Sequence, residues 1–206
     1  MEKLIAWLSG SRKARRALTA SAVALVVAAA GLIGFPALTN VLHNTLQDRL
    51  SQGLGSAANK NAYERGTLGE GAALTRLKIP HIGVDAVVVQ GISDKALEAG
   101  SGHYPQTPLP CTTGDVAIAG HRTTYGKPFA NVDRIRPGDQ ITLVTPVGSC
   151  VYRVSRPPFV VAFNAVSVVA NTPGLATLTL TACHPKGSAA QRMIIKAQMV
   201  SSEYAA

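Results

Sequence analysis

A cysteine near the C-terminal end of the chain, Cys183, lies in the stretch TLTLTACHPKGSAAQR, which runs from Thr177 to Arg192. Its thiol could be structural, could bind a metal ion or could act as a nucleophile. Leucine and threonine alternate before it, which predicts a strand with the leucines and Ala182 on the core face. Cys183 then lies with the threonines on the other face. Because a structural cysteine usually packs on the apolar side, this position favours a chemical role.

Two further side chains are of the types that an activated cysteine needs. His121, in AIAGHRTTYGKPF, follows a strand-like segment, and an imidazole with an ordinary pKa of about 6.5 suits proton transfer at neutral pH. Arg192 begins the next strand-like segment after Cys183, where a guanidinium could stabilise a thiolate and hold a developing oxyanion. The plainer alternatives are a solvated loop histidine and a surface arginine. His184 should project away from Cys183 in a strand, which makes it a poor base for that thiol.

A metal site is a second interpretation of these residues. Its candidate ligands are His103, His121, Cys183 and His184. They lack the short Cys-x2-Cys or His-x3-His spacing of zinc sites, and no Gly-x-Ser-x-Gly element supports a serine hydrolase. The acidic residues after position 73 are few and scattered singly, so we expect no Ca²⁺ requirement and no cofactor.

The N-terminal part of the chain predicts export. Residues 17–38 form an uncharged run of 22 residues, long enough for a helix to cross a bilayer. The run follows a basic cluster, made of Arg12, Lys13, Arg15 and Arg16. By the positive-inside rule, residues 1–16 then stay in the cytoplasm and the rest of the chain lies outside. A cleaved signal peptide is the alternative, because alanines 28–30 suit a peptidase, but the length of the run favours a retained anchor.

The remaining sequence predicts a stalk followed by an all-β domain. Residues 39–73 lack a sustained apolar period, which indicates a flexible extracellular stalk. Residues 74–206 contain eight short apolar or alternating segments separated by turn signals, and only KPFANVDRI suggests a helical turn. Closure into a barrel would remove the strand edges that these segments otherwise expose. The net charge of +9 does not indicate a nucleic-acid partner, since aromatic residues are not interleaved with the basic ones.

Export changes the interpretation of the three cysteines, because disulfides persist outside the cytoplasm. An odd number leaves one thiol free or pairs it with another chain. The sequence permits three pairings within the chain. The simplest joins Cys111 to Cys150 and leaves Cys183 unpaired.

Taken together, these motifs resemble the sortase family, the membrane-anchored cysteine transpeptidases of Gram-positive bacteria. The stretches IAGHRTTYGKPF with His121, TLTACHP and then Arg192 match the family's His, TLxTC and Arg pattern in order and spacing, over residues 74–200. GHYPQTPLP and AGHRTTYGKPF are most similar to class E of high-GC actinobacteria. One position departs from the pattern: Ala182 stands where TLxTC has its second threonine, which removes a hydroxyl but leaves the backbone amides.

The resemblance implies the closed eight-stranded sortase barrel and a role for each of three residues. Cys183 would attack the threonine carbonyl of a C-terminal sorting signal and form a thioacyl intermediate. His121 would protonate the leaving amine and then deprotonate the incoming amine. Arg192 would hold the tetrahedral oxyanion or orient the peptide.

The resemblance also suggests substrate-binding residues. For class E it implies an LAxTG signal in place of LPxTG, and it links Tyr104 to the preference for alanine, although a packed aromatic is the alternative. Thr181 and Ala182, next to the nucleophile, complete the expected substrate-binding set. With Cys183 assigned as nucleophile, Cys111 and Cys150 are free to form a disulfide.

The implied partners are secreted proteins with such a signal, and an acceptor amine from a peptidoglycan precursor or cross-bridge. A pilus-type sortase that joins pilins is one alternative, but residues 50–73 contain no acidic aromatic lid tripeptide. A non-catalytic anchored binding protein on a degenerate barrel is another. A third is a hydrolase that releases its substrates to water.

Overall fold

The structure, a computed structural model, describes residues 12–204, without the side chains at positions 36, 37 and 204. The chain divides into two compact units at the junction of Thr39 and Asn40. Of the predicted cytoplasmic segment, residues 1–11 lie outside the described part.

From residue 12 onward, the first unit is helical, as predicted. Helix α1 spans Arg12–Leu54 and contains the predicted membrane span, residues 17–38. Its most apolar window has a mean hydropathy of 2.2 and no buried residue. Leu25, Leu32 and Ile33 expose most of their side-chain surface. By length and composition α1 is therefore a candidate membrane span, although a signal sequence at this end of a chain would have the same character.

The sequence predicted a flexible stalk over residues 39–73, but the structure places helices in most of it. Helix α1 continues to Leu54, and helix α2 spans Ala57–Glu64. The Ser56 side chain accepts a hydrogen bond from the backbone N–H of Asn59 and so caps α2. Leu50 and Leu54, one helical turn apart, pack against the domain in a small apolar cluster. Their spacing of four residues indicates a helix, although the composition of this segment is typical of a stalk.

The second unit is built from short strands, with bounds that match the predicted segments. In chain order these are β1 (Ala73–Ile79), β2 (Val84–Gln90), β3 (Ser101–His103), β4 (Gly114–Gly120), β5 (Gln140–Thr145), β6 (Gly148–Val154), β7 (Phe159–Ala162), β8 (Ala176–His184) and β9 (Gln191–Tyr204). A helix α3 (Asp94–Ala99) and 3₁₀ turns at Pro80–Ile82, Val132–Arg134 and Val166–Val169 connect them. All eight predicted segments are strands. The three-residue β3 is an addition that the pattern was too short to reveal.

Eight of these strands close into a barrel, which confirms the predicted fold. Their order is β6-β5-β1-β2-β3-β4-β8-β9, and β9 returns to pair with β6. β9 is 14 residues long, so its first part pairs with the short β7 and its last part with β6. In the described part of the chain, β7 is thus a ninth strand attached to a closed ring of eight.

Aliphatic side chains fill the barrel interior. Leu178, Leu180 and Ala182 belong to this main apolar cluster, as the alternation in β8 predicted. Cys183 does not belong to it. The same cluster contains Cys111 and Cys150.

Cys111 and Cys150 form a disulfide, with an Sγ–Sγ distance of 2.02 Å and a Cα–Cα distance of 5.5 Å. The bond joins the segment before β4 to strand β6 across 39 positions of sequence. Both residues are buried. Of the three pairings that the sequence permitted, the structure thus contains the simplest.

Replacing Cys111 and Cys150 by alanine is expected to lower the free energy of unfolding by about 3–4 kcal/mol, since the bond restricts the unfolded chain over a long loop. Urea unfolding of the oxidised protein and of the double variant measures the difference. Cys183→Ala, which removes the free thiol, is the control and should leave the urea midpoint unchanged. An oxidised protein with three alkylatable thiols by mass would contradict the bond.

Candidate active site

Cys183 lies near the end of β8, and its thiol is free and half-buried. Cys183 pairs directly with Arg192 of the antiparallel strand β9. Directly opposed residues have Cβ atoms about 5 Å apart, close enough for a long arginine side chain to reach a group bound at the cysteine. The strand register therefore brings together two residues that eight positions separate in the sequence.

His121 approaches Cys183 from the other edge of β8. Strand β4 runs parallel to β8, with Gly120 opposite Ala182, so His121 leaves β4 beside the nucleophile. A Cβ at Gly120 would lie 2.5 Å from the buried Phe129 ring, which explains the glycine at this strand end. The Phe129 N–H donates to the His121 carbonyl at 2.9 Å and closes the loop between them.

One cavity of about 200 Å³ joins these residues. Its lining includes Cys183, His121 and Arg192, together with Tyr104, Thr181, Ala182, Ile92, Leu97, Ala119 and Gly120. The Tyr104 hydroxyl and Thr181 Oγ1 are 3.0 Å apart and hydrogen bonded. All the residues that the sequence proposed for catalysis and substrate binding therefore line a single depression.

The Arg192 guanidinium is tied to its own loop. Its Nη1 group donates to the carbonyls of Ala189 at 2.9 Å and Gln191 at 3.0 Å. A guanidinium carries five N–H donors, so these two bonds leave donors for an anionic group in the cavity.

The family model described as the sortase domain matches residues 77–200, more than half of the chain. The chain belongs to the sortase family. It is 34% identical over 146 residues to sortase SrtE1 of Streptomyces coelicolor, a match that covers 64% of this chain and 41% of that protein. It is 30% identical over 148 residues to sortase D of Bacillus subtilis, covering 70% and 71% of the two chains.

Solved sortase structures share this fold. Sortase E from Streptomyces avermitilis superposes with a TM-score of 0.60 at 29% identity, covering 66% of this chain and 93% of that one. Sortase E1 from Streptomyces coelicolor, solved with a tripeptide in its active site, gives a TM-score of 0.60 at 32% identity, covering 65% and 91%. The chain spans about two fifths of the curated SrtE1 sequence.

In this sortase, burial is the main influence on His121 and lowers the pKa of its imidazole. The carboxylates of Asp94 and Glu98, on α3, oppose that effect in part. The Tyr125 ring lies 5.5 Å from the His121 ring, and the Tyr125 hydroxyl donates to Glu98 Oε1 at 3.3 Å. His121 is therefore mostly neutral at pH 7 and able to accept a proton.

Sequence reasoning missed a buried cation beside this sortase site, Arg122. Its Nη2 group forms an ion pair with Asp133, while Nη1 lies 3.5 Å from the Cys183 carbonyl and 3.4 Å from His184 Nδ1. Burial alone would raise the pKa of Asp133, but a hydrogen bond with its own backbone and the nearby Arg122 cation lower it. Two features of the sequence could have indicated this ion pair. Arg122 directly follows His121, and Asp133 is the single acidic residue in the predicted helical turn KPFANVDRI.

The four candidate metal ligands do not all lie together in the structure. His103 is fully buried and lies within hydrogen-bond distance of Gln90 Oε1, the Pro108 carbonyl and Thr107 Oγ1, all at 2.8–3.0 Å. It does not line the cavity that holds Cys183. Within residues 12–204, no group of three or more His, Cys, Asp or Glu side chains is placed to hold a metal ion.

Because His103 is buried, the free energy of unfolding is expected to depend on pH. Desolvation lowers the pKa of His103 in the folded protein below the ordinary 6.5. As the pH falls below 6.5, this histidine therefore becomes protonated in the unfolded chain before it does so in the folded one. The free energy of unfolding should therefore be highest above pH 6.5 and fall as the pH drops from 6.5 toward the pKa of the folded state. Urea titrations at pH 5 to 8 measure this slope, and His103→Gln should flatten it. An unchanged slope in that variant would assign the effect to other groups.

Proposed function

We propose that this sortase is a membrane-anchored cysteine transpeptidase. It cleaves a C-terminal LAxTG-like sorting signal between threonine and glycine and transfers the protein to a cell-wall amine. The observation that carries the proposal is the convergence of Cys183, His121 and Arg192 on one cavity of about 200 Å³. The single free thiol among the described cysteines lies in that cavity.

In the first half-reaction, Cys183 Sγ attacks the threonine carbonyl while its proton passes to the neutral His121. The oxyanion of the tetrahedral intermediate accepts hydrogen bonds from Arg192. The C–N bond to glycine then breaks, and His121 returns the proton to the leaving amine. The thioacyl intermediate holds the acyl group on Cys183.

In the second half-reaction, an acceptor amine attacks the thioacyl carbonyl. His121 takes the proton that the amine loses, and Arg192 again holds the oxyanion. As the C–S bond breaks, His121 gives that proton to the departing Cys183 sulfur. The Cys183 thiol is restored as the new amide forms. The mechanism uses no metal ion and no cofactor, so EDTA should leave the rate unchanged.

The Tyr104–Thr181 pair supports the preference for a small residue in the signal. The two hydroxyls are 3.0 Å apart, and both residues line the cavity of about 200 Å³ that holds Cys183, so we expect room beside the nucleophile for a small side chain. A tripeptide occupies the active site of the Streptomyces coelicolor sortase E1 structure, which supports peptide binding at the same position here.

We place residues 1–16 in the cytoplasm and the barrel outside the membrane. The basic cluster before the apolar run supports this orientation. The Cys111–Cys150 disulfide supports it as well, because such bonds persist outside the reducing cytoplasm.

The test uses the full chain in detergent micelles with an LAETG peptide and triglycine, followed by intact-mass spectrometry of protein and peptide. We expect an acyl adduct on the wild type, a triglycine-ligated product, and neither of these with Cys183→Ala. An LPETG peptide run in parallel measures the preference for alanine. No adduct on a folded protein with either peptide would favour a binding protein on a degenerate barrel. An adduct that yields only free acid would favour a hydrolase.

A further inference from the structure

The loop that follows His121 is conformationally strained. Tyr125, Gly126 and Lys127 have φ angles of 49°, 70° and 42°, so three successive residues adopt the left-handed conformation. For residues other than glycine this costs about 1 kcal/mol or more each, and it persists only where surrounding contacts hold it. The loop also carries the Tyr125 ring beside His121. Its support therefore bears on the position of the imidazole.

Part of that support comes from the end of α1 that belongs to the barrel unit. Asn40 Oδ1 accepts a hydrogen bond from the Gly126 N–H at 3.1 Å. The His43 ring packs so closely on Gly126 that a Cβ at position 126 would collide with His43 Cδ2. His43 is only 6% exposed. One face of the helix thus covers the strained turn.

The same helix face is fixed to the barrel one turn later. The Gln47 side chain donates through Nε2 to the carbonyls of Val87 at 3.0 Å and Ala99 at 2.8 Å, and its Oε1 accepts from the Val87 N–H at 2.7 Å. Val87 lies in β2 and Ala99 ends α3, the helix whose Glu98 accepts the Tyr125 hydroxyl. Both α1 and α3 therefore hold the loop, and the Gln47 side chain links these two helices.

We infer that residues 40–47 of α1 form a clamp that positions His121, with Asn40 and His43 as positioning residues and Gln47 as the attachment. This segment lies outside the stretch that matches the sortase domain, residues 77–200. The inference rests on the proposed function, because it assigns His121 the proton transfers described above. The clamp residues touch no reacting atom and act through the loop.

Full-chain variants in detergent test the clamp. Asn40→Ala and His43→Ala are expected to lower kcat by about 10- to 100-fold, as small displacements of a catalytic group do, with KM for the LAETG peptide within twofold of wild type. The midpoint of His121 protonation, followed by NMR of its imidazole, should move as well. Thr45→Ala, on the exposed opposite face of the same helix, is the matched control and should match wild type in both readouts.

A rescue experiment tests the contact itself. Gly126→Ala should lower kcat, because the new methyl group collides with His43 and the left-handed backbone disfavours alanine. Combining it with His43→Ala makes room for the methyl group. The kcat of the double variant should therefore be about fivefold or more above the value obtained by multiplying the effects of the two single variants. Combining it with Thr45→Ala should give no such recovery. If the effects of Gly126→Ala and His43→Ala on kcat simply multiply in the double variant, the clamp is overturned.

The two proposals fail in distinguishable ways. A wild-type protein without any acyl adduct would overturn the proposed function, while the His121 titration by NMR would still show whether the clamp variants displace the ring. A functioning wild type with Asn40→Ala and His43→Ala at full kcat and an unchanged titration would overturn the clamp alone.

Discussion

Replacing His121 with asparagine is expected to lower the rate of transpeptidation by about 10²- to 10⁴-fold, the range over which general acid–base catalysis contributes. The variant loses the group that accepts the thiol proton and returns it to the leaving amine. Steady-state kinetics with the LAETG peptide and triglycine measure the loss. Alkylation of Cys183 by iodoacetamide, followed by mass, shows that the thiol remains accessible in the variant.

The neighbouring histidine provides the matched control. His184 is adjacent to Cys183 in the chain, but its Nδ1 faces Arg122 at 3.4 Å, so His184→Asn should cost less than about tenfold, in keeping with a group that takes no part in the proton transfers. Since burial lowers the pKa of His121, the acid limb of the kcat/KM profile should have its midpoint below pH 6.5. The limb should persist in His184→Asn. Equal losses in the two variants would contradict the assignment of His121.

Replacing Asp115 with alanine is expected to lower the free energy of unfolding by about 3 kcal/mol, because its buried carboxylate is the shared acceptor of two threonine hydroxyls and of the partly exposed Lys196. Asp115 is completely buried in β4 and accepts hydrogen bonds from Thr177 at 2.8 Å, from Thr179 at 2.6 Å and from Lys196 Nζ at 3.0 Å. The alanine variant leaves these donors without their shared acceptor. The two threonines lie on the same face of β8 as Cys183, so kcat should fall as well.

An exposed ion pair serves as the control for Asp115. Asp85 pairs with Arg76, and both side chains are more than one third exposed. Asp85→Ala should therefore cost less than about 1 kcal/mol, as surface pairs do. Urea unfolding of the two variants at pH 7.5 makes the comparison. A loss for Asp115→Ala no larger than that for Asp85→Ala would contradict the role of the buried network.

Local patterns were sufficient to predict the strands and the residues that line the candidate active site. The alternation in TLTLTAC put the leucines in the core and Cys183 on the opposite face, because side chains alternate in any strand whatever it pairs with. The residue types of Cys183, His121 and Arg192 fit one reaction class, and their order and spacing matched one family. An uncharged run of 22 residues was enough to predict the apolar part of α1, a candidate membrane span.

The tertiary structure decided which distant residues meet. The parallel pairing of β4 with β8 sets His121 beside Cys183 across some 60 positions, and it depends on burial and backbone hydrogen bonds that no local window contains. The Arg122–Asp133 ion pair, the choice of Cys111 with Cys150 and the clamp from Asn40 to Gln47 arise in the same way. Sequence periodicity thus determined on which face of its strand each side chain lies. Which residues of other strands it contacts depended on how the whole barrel closes.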